Sequence, residues 1–194
     1  MAASDAPVPV HDPRVLRAIA HPVRNRVLGE LEAAGPLRAA DLAQLLGIPA
    51  NQASFHLRQL AKYGLVEPAP ELARDKRDRV WRLVAPAGLR VDLAELKKAP
   101  GGAAAVSVFR RSSGDWARAV VESAFAETRE PGATYAVTDQ SLRLTGEEAH
   151  ELVRELDAVL RRWAGRSRDG DDGQRRTYLV LQVVQPYPEL EGRR

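Results

Sequence analysis

The sequence predicts an α+β protein: a mainly helical N-terminal part that ends in a short strand hairpin, then a smaller mixed C-terminal part. Three observations predict it. Proline and glycine punctuate residues 12–64 into four apolar-periodic segments of helical length. Residues 65–67 and 79–84 alternate in the two-residue period of strands, on either side of the polar stretch PAPELARDKRD. Ala99-Pro100-Gly101-Gly102 then breaks the chain before a second set of helical and strand patterns.

The elements follow in order. Asp12-Pro13 is a helix start, with an Asx cap before a proline whose missing N–H costs nothing at the first position. Val15, Leu16 and Ile19 give that helix its apolar face, and His21-Pro22 interrupts it, because the residue before proline is driven from the α region. A second helix runs from Pro22 to Gly35 over Val23, Val27, Leu28 and Leu31, and Leu37 to Ala39 is a very short strand. Asp41 to Leu46 is a short helix with Leu42, Leu45 and Leu46 inward, stopped by Gly47. After the Ile48-Pro49 turn, Ala50 to Tyr63 forms a longer helix closed by Gly64. Beyond the hairpin a short helix carries Leu93 and Leu96. Asp115 to Thr128 is helical, residues 135–137 and 142–144 alternate as strands, and Thr145-Gly-Glu-Glu148 is a capping box. That box opens a helix with Ala149, Leu152, Val153, Leu156, Leu160 and Trp163 at a 3.6 period. Tyr178 to Val184 reads as a strand buried on both faces. The expected organisation is a flexible arm over 1–11, a domain over 12–98, a linker over 99–103 and an α+β region over 104–194.

The 194 residues include 44% apolar and 28% charged side chains, an ordinary globular balance. No cysteine is present, which excludes disulfides, thiolate metal sites and cysteine nucleophiles. No long apolar run and no charged-then-apolar leader occurs, so no membrane contact is expected and the cytoplasm is the expected location. The net charge of +3 is small, but residues 51–82 hold seven basic against four acidic side chains. That excess suits a polyanionic partner. Nucleotide-loop, zinc-protease and serine-hydrolase motifs are absent, and the four histidines stand at no ligand spacing. No enzyme activity, no metal and no cofactor is expected. His150 and its neighbouring glutamates read as a solvated helix face.

The informative stretch is Ala39 to Val84. Two helices joined by a tight turn need a residue tolerant of positive φ, which is Gly47, and a small side chain where they approach, which is Ala43. The second helix then buries Ile48, Ala53, Leu57 and Leu60 against its partner. That leaves Asn51, Gln52, Ser54, Phe55, Arg58, Gln59 and Lys62 outward. Amides can bind adenine bidentately, arginine can bind guanine and lysine neutralises phosphate, so this face suits the major groove of double-stranded DNA. The hairpin, with Arg74, Lys76, Arg77 and Arg79 at its tip, would reach the backbone or the minor groove; a solvated turn is the other reading. Phe55 suits a thymine methyl or packing against the hairpin. His56, beside the buried stripe, suits a DNA contact or a helix contact, and Arg24 suits a phosphate or solvent.

These motifs carry a resemblance. His21-Pro-Val-Arg-Asn-Arg-Val-Leu28, Ala-Asp-Leu-Ala-Gln-Leu-Leu-Gly47, Ala-Ser-Phe-His-Leu-Arg-Gln-Leu60 and Tyr-Gly-Leu-Val66 resemble, in order and spacing, the ArsR-type winged helix-turn-helix transcriptional regulators over about residues 12–98. The resemblance implies a bacterial, homodimeric regulator on a palindromic operator, with helix 50–63 in the major groove and the wing at 68–79. The family's Ser-x-His-Leu matches Ser54, His56 and Leu57. Its best-known members respond to metal through cysteines or His/Asp pairs. This chain has no cysteine, and Val91 to Lys98 holds no such pair, so metal responsiveness is not expected.

Residues 104–194 have two readings. They extend the dimer interface, or they hold a small-molecule effector pocket among Trp116, Phe125, Tyr135, Trp163 and Tyr178. A winged helix that binds proteins instead of DNA is the alternative for the whole.

Overall fold

The structure is a computed structural model that describes residues 7–73, 79–168 and 175–188. The chain divides into two compact units, Met1–Trp116 and Ala117–Arg194.

The first unit is built on four helices. α1 (Pro13–Ile19) starts where Asp12 Oδ1 accepts the Arg14 backbone N–H at 2.8 Å. α2 (Pro22–Ala34) ends at Gly35, whose φ of 82° excludes most other residues. α3 (Ala39–Leu46) opens with the Asp41 carboxylate accepting the Arg38 backbone N–H at 3.1 Å. Gly47 closes it at φ 63°, and the Ile48 N–H returns to the Ala43 carbonyl at 3.0 Å. That αL turn aims α4 (Ala50–Lys62) across α3. Val27, Leu42, Leu57 and Leu60 are fully buried where α2, α3 and α4 meet, with Leu31, Ala53, Val66 and Trp81 around them. Leu45 is corrected: it is 49% exposed, because one face of a two-turn helix is filled by Leu42, Ala43 and Leu46.

Three strands flank the helices in the order β2-β4-β3: β2 (Leu37–Arg38), β3 (Val66–Pro68) and β4 (Val80–Leu83), all antiparallel. β3 and β4 are the wing hairpin. Glu67 stands opposite Arg82, whose guanidinium donates to Glu67 at 2.8 Å and also pairs with Glu71.

The arm and the linker both differ from expectation. β1 (Val8–Val10) pairs in parallel with β5 (Leu89–Val91), and Val10 is buried with Leu16, Leu96, Ala105 and Val106. Residues 8–10 are therefore a strand, held by a partner eighty positions away that local pattern does not reveal. α5 (Leu93–Lys98) is capped by Asp92 Oδ1, and α6 (Gly102–Ala124) follows through a tight corner. The expected linker is that corner: a Cβ on Gly102 would lie 1.9 Å from the Leu96 carbonyl oxygen.

In the second unit, α7 (Gly146–Arg168) begins at the expected box. The Glu148 N–H donates to Thr145 Oγ1 at 3.2 Å, and the Thr145 N–H donates to Glu148 Oε2 at 2.7 Å. Residues 135–137, 142–144 and 178–184 form no strand. Two of their tyrosines accept backbone hydrogen bonds, the Tyr178 hydroxyl from the Thr134 N–H and the Tyr135 hydroxyl from the Glu130 N–H, each at 3.2 Å. Among the described residues from 107 to 188 none is buried, so the expected core of a C-terminal α+β unit is not seen among them. Strands need a hydrogen-bonded neighbour and an apolar layer beneath them, and these segments have neither.

Candidate nucleic-acid interface

α4 follows directly from the αL turn, so its orientation is set by the packing of α3. Its inward face is Ala53, Leu57 and Leu60, all fully buried. At roughly 100° per residue, Asn51, Phe55, Arg58 and Lys62 stand on the opposite side and are exposed, as is Gln52 on one flank. Ser54 and Gln59 are half-buried on the two edges. The helix thus presents Asn51, an aromatic ring and two cations in one exposed row, with the Gln52 amide on its flank.

His56 departs from the rest. It is only 7% exposed, and its ring lies 4.9 Å from the ring of His21 at the start of α2. The physical reason is spacing: three residues after Ala53 and four before Leu60 is the packed face of a helix. As a DNA contact His56 is corrected to a helix-packing residue. Phe55, 49% exposed, meets the His56 ring edge-on at 5.4 Å and projects to solvent beside it.

Arg24 departs as well. Its Nε donates to the Ala18 carbonyl at 2.6 Å and its Nη2 to the Arg17 carbonyl at 2.9 Å. Those carbonyls lie in the last turn of α1, where backbone acceptors have no helical partner. Arg24 is therefore the side chain that closes α1 against α2, and a phosphate role is not what its geometry serves.

Sequence reasoning missed His21. Its Nδ1 and that of His56 are buried with no hydrogen-bond partner. Burial pushes the His21 imidazole below the usual histidine range, with Arg24 adding to it. Burial does the same to His56, reinforced by His21 and then by Arg24. The spacing of His56 on the packed face was the available signal; the approach of His21 across two helices left none.

Of the wing cations, Arg79 is exposed at the start of the returning strand. Arg74, Lys76 and Arg77 lie outside the described residues. Arg82 is tied to the two wing glutamates. Among the described residues no group of three or more His, Cys, Asp or Glu side chains could hold a metal, and no helix is long and apolar enough to cross a membrane. Phe125, Trp163 and Tyr178 are more than half exposed, with the Arg166 guanidinium lying 4.4 Å over the Trp163 ring.

Residues 19–69 match a family model described as a helix-turn-helix domain. The match spans α2 through β3, the elements that set α4 in place. No curated protein matches the chain. Among solved structures, a possible transcriptional regulator for arsenical resistance is 28% identical, covering 58% of this chain and 97% of that one, with a TM-score of 0.31. The transcriptional regulator Tm0710 from Thermotoga maritima is 15% identical over 80% of this chain and 87% of its own, with a TM-score of 0.32. A mutant MarR from E. coli, solved with operator DNA, is 20% identical over 76% and 84%, with a TM-score of 0.31.

Proposed function

We propose that this chain is a sequence-specific, DNA-binding transcriptional regulator that acts as a homodimer. One observation carries the reading: α4 of a helix-turn-helix buries a continuous apolar stripe while Asn51, Gln52, Arg58 and Lys62 remain exposed on its outer face. A helix so divided fits the major groove, where Asn51 and Gln52 would read adenine edges and Arg58 guanine. Lys62, Arg79 and the wing cations Arg74, Lys76 and Arg77 would neutralise phosphates and supply most of the affinity through counterion release. Ser54, Phe55 and Gln59 would line the edges of the contact. Two copies would set two α4 helices on half-sites about one turn, ~34 Å, apart. Metal is not part of this proposal: there is no cysteine, and His21 and His56 lie ring against ring inside the packing.

Selection of genomic fragments by the purified protein, followed by footprinting, tests the proposal. The expected footprint is two inverted half-sites with a strong salt dependence. Failure to retain any duplex at low ionic strength would sink it.

A further inference from the structure

The apolar stripe of α7 is symmetric about one residue. Counting outward from Leu156, Val153 and Val159 stand three away, Leu152 and Leu160 four, and Ala149 and Trp163 seven. At roughly 100° per residue these seven side chains fill a band about 120° wide centred on Leu156. Among the described residues the stripe is only partly covered: Ala149, Leu152, Val153 and Leu156 are half-buried, Val159, Leu160 and Trp163 are exposed, and none of the seven is buried.

From this symmetry we infer that α7 is a homodimerisation helix that packs antiparallel against α7 of a second copy, with the two-fold axis at Leu156. A two-fold contact is isologous, so a residue pairs with the one equally far beyond the axis. Leu156 then meets its own copy, Leu152 lies level with Leu160 and packs along its own flank on Val159, Leu160 does the same on Val153, and the small Ala149 faces the large Trp163.

The charges select the same partner. Acidic side chains cluster in the N-terminal half (Glu147, Glu148, Glu151) and basic ones in the C-terminal half (Arg161, Arg162, Arg166). In an antiparallel pair each half lies along the opposite half of its copy. Glu148 stands on the same flank of the stripe as Arg162 and Arg166, so it would sit level with those two arginines of the other chain. Glu155 and Asp157 lie near the axis and splay about 100° to either side. The attraction therefore comes from the ends of the helix, and the apolar band holds the middle.

This inference rests on the homodimer reading and specifies its interface. The absence of cysteine makes the test clean. Single cysteines are placed in the full-length chain, which is oxidised, and the products are separated by mass. The Leu156→Cys variant is expected to cross-link to itself, because the axis brings its two copies within disulfide reach. The Leu152→Cys variant is expected not to, since its two copies lie eight residues, about 12 Å, apart along the seam. An equimolar mixture of Leu152→Cys and Leu160→Cys chains is expected to give the mixed dimer. In parallel, Leu156→Glu should weaken dimerisation by at least about 30-fold while leaving helix content unchanged. A solution dimer lacking this cross-linking pattern would overturn the α7 pairing and leave the homodimer reading standing. A chain that sediments at 21.3 kDa at all concentrations would overturn both.

Discussion

Replacing Arg24 by alanine separates a structural cation from a DNA-binding one. Its guanidinium makes two hydrogen bonds to carbonyls of α1, at 2.6 and 2.9 Å, the first partly buried and the second exposed. A hydrogen bond from a charged donor contributes about 1.5–3 kcal/mol, and the exposed one falls at or below the low end. The Arg24→Ala loss should therefore total about 2–4 kcal/mol, part of it from carbonyls left without a donor. For a domain of roughly a hundred residues that is a drop of about 10–25 °C in Tm. Circular-dichroism melts of Arg24→Ala and Arg24→Lys measure it, and Lys should fall between, since one ammonium cannot reproduce the fork. The second assay is the salt dependence of operator binding at a temperature where both variants are folded. The slope should stay unchanged, whereas a lost phosphate contact would reduce it by about 0.9. A Tm within 2 °C of the parent together with a slope reduced by about one would refute the reasoning and return Arg24 to the DNA.

Other consequences can be measured independently. Gln52→Ala should cost about 1–3 kcal/mol on the preferred operator and little on unrelated duplexes, read by gel-shift titration; equal loss on all sequences would show that Gln52 reads no base. Gly102→Ala should destabilise the first unit by about 1–3 kcal/mol, because its Cβ would meet the Leu96 carbonyl and force the α5–α6 corner apart; a neutral denaturation midpoint would contradict that geometry. Acidification should weaken the helix-turn-helix. His21 and His56 are held below the ordinary histidine range by burial, and Arg24 is the cation beside both. A group with a depressed folded-state pKa that is neutral when native stabilises the fold above the unfolded value, near 6.5, and this is lost as pH falls through the folded value. Urea midpoints should thus decline below about pH 6.5, and His56→Phe should flatten that decline; an unchanged pH profile in the variant would exclude the pair as its source.

Local chemistry was sufficient for much of this fold. Asp12-Pro13, Gly35, Gly47 and the Thr145 box each act on the backbone within four residues of themselves, so the start of α1, the ends of α2 and α3 and the start of α7 were legible from composition and spacing. The division of α4 into a buried and an exposed face was legible too, since 3.6-residue periodicity is a property of the string; His56 followed the period and belonged inside. What required the tertiary structure depended on partners far along the chain. The β1–β5 pair joins residues eighty apart, Arg24 finds acceptors on another helix, and His21 finds its neighbour across two. The apolar runs at 135–144 and 178–184 marked segments that favour burial, but pattern cannot say which surface buries them. Backbone preference is written residue by residue, whereas pairing is a property of which surfaces meet, and only the assembled chain determines that.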